Sequence, residues 1–138
     1  MKEVFTRNEE LVRHVFATHN RGPEAILASV EELFDPEISW TPAIVGGLEG
    51  GSYAGYDGMR RYYADRGDVF GEGRVEVLDC EPVGDDVVVA HVLSSGVGRA
   101  SGAAIEHELW IVFWLRDRSV RREHAFTSRS EAMKASGA

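Results

Sequence analysis

The sequence predicts an α+β fold in which two amino-terminal helices and a third lie on one face of a strongly curved, four-stranded antiparallel sheet. Apolar residues recur at helical spacing in the first half of the chain, whereas from Arg74 onward they fall into four strand-like runs. The breaks between those runs, "GDD" at 84–86, "RASG" at 99–102 and "DR" at 117–118, are too short for a parallel crossover. Neighbouring strands must therefore be antiparallel, and the concave face of the meander is the place for a large core.

Along the chain, Thr6 followed by Glu9 reads as a capping box, and Leu11, Val12, Val15 and Phe16 form the apolar stripe of a helix that should run to about Asn20. Gly22 stops it. Pro23 starts the next helix, since the first helical position does not need the N–H that proline lacks. Ile26, Leu27, Val30, Leu33 and Phe34 make the buried stripe of helix 2, and Asp35-Pro36 ends it because the residue before a proline is pushed out of helical geometry. "ISW" at 38–40 reads as a short strand, "GGLEGGSYAGYDG" at 46–58 as a loop, and Asp57 as the cap of a third helix carrying Met59, Tyr62 and Tyr63.

Composition bounds the function. With 138 residues, 43% hydrophobic and 28% charged, the chain suits one domain spanning 1–138. The 23 acidic against 15 basic residues give a net charge of -8, which repels a phosphate backbone, so no nucleic acid partner is expected. Cys80 is the only cysteine, which excludes an intrachain disulfide and fits a reducing compartment. The first residues lack the apolar run of a signal peptide and no stretch approaches a membrane span, so the expectation is a cytoplasmic protein with no membrane partner.

The last hairpin can be read more finely. A two-residue turn at Asp117-Arg118 pairs Arg116 with Ser119 and Leu115 with Val120. Strict alternation then places His107, Leu109, Ile111, Phe113 and Leu115 on one face with Val120, Arg122, His124 and Phe126. This more continuously apolar set is assigned to the concave core. Trp110, Val112 and Trp114 fall on the convex face as an exposed apolar stripe, which predicts a homodimer joined through that face.

The segments "LFDPEISW" at 33–40, "YAGYDGMRRYY" at 53–63, "GVGRASGAAIE" at 96–106, "VFWLRDRSVRR" at 112–122 and "FTSRSEAMKASG" at 126–137 follow one another in an order that resembles the SnoaL-like branch of the nuclear transport factor 2-like superfamily, relatives of polyketide cyclases and ketosteroid isomerases. The resemblance covers nearly the whole chain. It implies a cone whose sheet curls around the helices and leaves a mostly apolar pocket at the wide end, used by different members for isomerisation, cyclisation, epoxide hydrolysis, dehydration or binding alone. The isomerase pattern has an Asp general base where "SWTP" here places Thr41, and a helix 1 tyrosine that has no counterpart. The two aspartates bridged by an arginine in epoxide hydrolases are matched only by Arg122.

Two histidines on the expected concave face, His107 and His124, are the candidates for general acid and base, because imidazole titrates near neutrality. Their backbones stand roughly 13 Å apart in the expected register, so they would act separately on one ligand or serve as structural rim residues. Arg122 on the same face could hold an enolate or carboxylate, or else pair with Glu31 or Glu32. Trp40 and Tyr53 flank the glycine-rich loop, which the resemblance places at the pocket mouth, and Leu109, Ile111, Phe113 and Phe126 are expected to wall the ligand site. The facing of His91 is left open.

His14 and His19 are five apart and do not share a helix face, so no metal is expected, and no cofactor either. "GVGRASG" leads from strand to strand without the helix amino terminus a phosphate site needs. The expectation is a small hydrophobic, carbonyl-bearing ligand. It would be acted on by a cofactor-independent isomerase or lyase, or held by a non-catalytic binding or accessory module.

Overall fold

The computed structural model describes residues 7–43, 52–98 and 102–137, without the side chains of 66–72 and 98. The elements run α1 (Asn8–Asn20), α2 (Pro23–Ala28), α3 (Val30–Leu33), β1 (Phe34–Thr41), β2 (Tyr53–Ala54), α4 (Gly55–Val69), β3 (Phe70–Val83), β4 (Val87–Gly98), β5 (Ala104–Arg116), β6 (Ser119–Phe126) and α5 (Arg129–Ser136). They build one sheet in the order β2-β1-β6-β5-β4-β3. The expected meander is its β3 to β6 half. β1 extends it by pairing parallel with β6, and β2 closes the far edge antiparallel to β1.

Local chemistry explains the departures from expectation. α1 starts at Asn8 with Arg7 at its N-cap and no side-chain cap bond, while Thr6 lies outside the described residues. The second expected helix breaks at Ser29 into α2 and α3, and Phe34 opens β1. Residues 46–51 of the glycine-rich loop and residues 99–101 are outside the described residues, but Gly55 and Gly58 belong to α4, with Asp57 in its first turn. A helix that sequence reading did not anticipate, α5, is capped by Ser128, whose hydroxyl accepts from the Glu131 N–H, and ends on Gly137 in left-handed geometry.

The main core lies between α1 to α4 and the inner face of the sheet. Val12, Ile26, Val30, Ile38, Val88, Val92, Phe113 and Val120 are fully buried there, and Phe16 meets Phe113 edge-on at 5.5 Å. A second, smaller cluster lies on the outer face, where Ala132 of α5 covers Val89 and Val112, with Trp110, Trp114, Phe126 and Met133 around them. The stripe expected to be exposed is thus narrower. Val112 is sealed beneath α5, and only Trp110 and Trp114, both half-buried, retain accessible surface.

Two polar clamps fix the frame. At the hairpin end, Arg116 donates to both carboxylate oxygens of Asp35, at 3.2 and 3.0 Å, and also to Glu37. The guanidinium, followed by the Glu37 backbone N–H, holds the Asp35 carboxyl below the usual carboxylate range. At the other end, Asn20 donates to the Val75 carbonyl and accepts from the Val75 N–H, both at 2.7 Å. β3 is an edge strand, so this side-chain amide stands in for a missing strand neighbour. Asn20→Ala should leave both backbone groups of Val75 unpaired and cost roughly 1–3 kcal/mol of unfolding free energy in urea titrations.

Candidate functional site

The turn between β5 and β6 forms as expected, with Arg116 opposite Ser119 and Leu115 opposite Val120. Asp117 and Arg118 both have positive φ, 51° and 63°, the backbone signature of a type I′ hairpin turn. Immediately beyond, the register shifts. Trp114 faces Arg122, so Arg121 is an extra, unpaired residue and β6 carries a β-bulge. Every residue of β6 after it is turned to the opposite face from the one that strict alternation assigns.

Three expected site residues are therefore corrected. Arg122, His124 and Phe126 lie on the outer face, opposite Trp114, Val112 and Trp110. Arg122 sits 4.3 Å over the Trp114 ring and forms none of the carboxylate pairs considered for it. His124 stacks on Phe126 at 4.3 Å, and burial, then the Arg122 charge, lowers its pKa. His91 is on this outer face too, stacked on Trp110 at 4.6 Å and hydrogen-bonded to Glu108 at 2.7 Å. The remaining expectations face inward. Leu109, Ile111 and Phe113 point to the helices, and His107 stands half-buried opposite Ser94.

What the bulge turns inward is Glu123. In register across the sheet, one row reads Tyr53, Trp40, Glu123, Phe113 and Val88. Glu123 is 7% exposed and Trp40 5% exposed, and Glu123 Oε1 and Trp40 Nε1 are both buried without a hydrogen-bond partner among the described residues. The two orphans are on adjacent strands at paired positions. Above them α4 supplies Tyr62, which meets Trp40 at 5.5 Å and Tyr53 at 5.2 Å, both edge-on. Tyr63 and His19 continue this aromatic wall, 5.7 Å apart. His107 is six residues along β5 from Phe113, roughly 20 Å from the Glu123 row, and does not join it.

Burial pushes the Glu123 carboxyl up to about 8, so it carries its proton at neutral pH. A neutral carboxylic acid and an indole N–H are both donors, and they stand together in an apolar, aromatic setting with no acceptor for Trp40 Nε1 or Glu123 Oε1 among the described residues. Such a pair can hold a ligand oxygen, and the carboxyl can give or take a proton within one unit of neutrality. No group of three or more His, Cys, Asp or Glu among the described residues could hold a metal. Cys80 is half-buried, with its thiol pKa raised by desolvation, and has no reactive character.

The sequence reading missed Glu123 because it assumed an unbroken alternation. The available signal was Arg121-Arg122. Without a bulge one guanidinium, which cannot shed its charge, would have to enter the core, whereas a glutamate can enter neutral.

The sheet packed over α1 to α4 is the nuclear transport factor 2-like fold, shared with ketosteroid isomerase-like structures. Within it, the chain belongs to the SnoaL-like domain family, whose model matches residues 4–123. Solved structures agree at the level of fold. A putative SnoaL-like polyketide cyclase from Jannaschia sp. CCS1 is 20% identical over 100% of this chain and 96% of its own, with a TM-score of 0.73. A hypothetical protein with a ketosteroid isomerase-like fold from Catenulispora acidiphila, in complex with trimethylamine, is 16% identical over 96% and 95%, TM-score 0.73. TerC, co-crystallised with polyporic acid, is 19% identical over 95% and 98%, TM-score 0.70. Among curated proteins no sequence match is found. No helix among the described residues is long and apolar enough to cross a membrane.

The raised Glu123 pKa has a definite sign. Between about 4.5 and about 8 the native state keeps a proton that the unfolded chain releases, so this group's contribution to stability falls as pH rises through that window and levels off above it. The fall should amount to roughly 3–5 kcal/mol. Glu123→Gln should abolish most of it, read as unfolding free energy from urea titrations at a series of pH values.

Proposed function

We propose that the protein binds a small, largely apolar molecule bearing a carbonyl group against the inner face of the sheet, and that Glu123 is the group that exchanges a proton with it. The observation that carries this reading is the paired orphaning of Glu123 Oε1 and Trp40 Nε1, buried on adjacent strands. Polar atoms sealed from water without partners are rare in folded proteins and costly to keep. A carbonyl oxygen would accept from both. As the carbonyl becomes an enol, Glu123 gives its proton to the carbonyl oxygen and the carboxylate so formed takes up the proton leaving the α-carbon, so the acid is regenerated, while the Trp40 N–H stays as the second donor to the oxygen. The half-buried Tyr53 and Tyr62 offer ring surface for a flat ligand body. Reactions that need one proton moved beside a carbonyl, namely isomerisation, cyclisation by aldol addition, or elimination, fit this without a cofactor. Polyporic acid bound to TerC, a protein of the same fold, is consistent with a flat oxygenated ligand.

A panel of polyketide-like ketones is the direct test. Wild type should turn over at least one of them, and Glu123→Gln should lose 10²-fold or more in kcat, within the range for a general acid or base. Turnover unchanged in Glu123→Gln would sink the assignment. If the variant and wild type bind a ketone equally and neither converts it, the protein is a carrier and the catalytic part of the reading falls.

The same reading takes the protein as a homodimer through the outer sheet face. Support comes from the half-buried Trp110 and Trp114 flanking the α5-covered Val112, beside Arg122 and Glu108, charges of opposite sign on one face. Sedimentation equilibrium should give a dimer for wild type and a monomer for Trp110→Glu; a wild-type monomer at micromolar concentration would reject it.

A further inference from the structure

A groove of about 330 Å³ runs between the carboxyl-terminal half of α1 and the free edge of β3. We infer that it is a second binding site, for an organic monoanion with an apolar body, such as an aromatic carboxylate. It is independent of the Glu123 site. From α1 come Arg13, Phe16, Ala17 and Asn20, spaced i, i+3, i+4 and i+7 so that they share one helical face. From β3 come residues 74–77.

Each part of the lining has a distinct role. Phe16 and Val75 are core residues, 5% and 7% exposed, and give the groove an apolar floor anchored in the fold. Asn20 is fully engaged in clamping Val75 and contributes rigidity, so the two walls cannot spread apart. The charges decide the ligand. Arg7, Arg60, Arg116 and Arg129 each pair with a carboxylate, and Arg61 and Arg122 lie over aromatic rings. Among the described residues Arg13 and Arg74 do neither, as is also true of Arg21, Arg118 and Arg121, but only Arg13 and Arg74 line the groove, in a chain whose net charge is -8. With Glu76 also lining the groove, two guanidiniums against one carboxylate leave it net positive by one charge. A monoanion neutralises that excess, and guanidinium recognises carboxylate in matching planar geometry. The volume lies at the small end of the range for ligand sites, which excludes bulky acids.

The test uses the intact protein with 1-naphthoate and its neutral counterpart 1-naphthalenemethanol, followed by calorimetry and by amide chemical shifts. Naphthoate should bind with shifts centred on Phe16, Ala17, Val75 and Val77, at least about tenfold more tightly than the alcohol, and more weakly as salt is raised. Arg13→Gln and Arg74→Gln should each weaken it by about fivefold, the double substitution more, and Glu76→Gln should tighten it. Glu123→Gln should change nothing. Equal binding of acid and alcohol, indifference to both arginine substitutions, or no binding at millimolar naphthoate would each overturn the inference. Binding lost in Glu123→Gln but kept in the arginine variants would place the ligand in the inner site instead, rejecting the groove and leaving the proposed function standing.

Discussion

Whether a charge can be shed decides how β6 sits in this fold. The strand carries Arg121, Arg122, Glu123 and His124 in succession, between the buried Val120 and Ala125. Unbroken pairing from the turn would seat Arg122 inward, among Phe113, Ile111 and the helices. Guanidinium keeps its charge in any environment, and an unpaired buried charge costs several kcal/mol. One extra residue at Arg121 moves Arg122 onto the Trp114 ring and brings in Glu123 instead, which enters as a neutral acid. The bulge removes one ladder position. In exchange the core receives a group whose cost is largely met by keeping its proton.

The same shift divides the sheet into two chemically distinct faces. Inside, Trp40, Tyr62, Phe113 and Glu123 form an aromatic wall with one acid; outside, His91, Trp110, Arg122, Trp114 and His124 form stacked ring and cation pairs that remain partly wet. The histidines are suited to the second setting, where His91 stacks on Trp110 and bonds to Glu108 and His124 stacks on Phe126. α5 then lies on this outer face and buries Val89 and Val112. The family match ends at residue 123, before α5, so the covering of the outer face is built from the stretch beyond it.

Much of the architecture was legible from residue pattern. The breaker at Gly22-Pro23 marks a real boundary, α1 closes at Asn20, the four carboxyl-terminal strands are consecutive neighbours, and the turn falls at Asp117-Arg118, whereas Asp35-Pro36, expected to end a helix, lies inside β1, the helix having stopped at Leu33. Periodicity on β5 correctly separates Leu109, Ile111 and Phe113 from Trp110, Val112 and Trp114. The candidate site was only half legible. Trp40 and Tyr53 were singled out and stand in its row, while the acid was not, because alternation has no memory of a bulge and one inserted residue exchanges every later side chain. The parallel pairing of β1 with β6 was also beyond reach, since it joins segments some eighty residues apart that no local turn connects.

That pairing completes the site. Phe34 stands opposite Val120, yet Ser39 stands opposite Arg122, so β1 uses five steps where β6 uses two. Had β1 continued in step from Phe34, the residue beside Glu123 would be Glu37, three positions on from each. Two carboxyls side by side in the core would oppose one another's ionisation and leave four oxygens to satisfy. Pro36, which cannot serve as a ladder donor, sits in the irregular stretch, and Arg116 holds Asp35 and Glu37 at the hairpin end. β1 resumes its pairing at Ser39 and delivers Trp40 to the acid. Two irregularities on neighbouring strands, one of a single residue and one of three, therefore produce one donor pair. A shift of either strand alone by one residue would replace Glu123 with an arginine or a histidine, or Trp40 with Ser39 or Thr41.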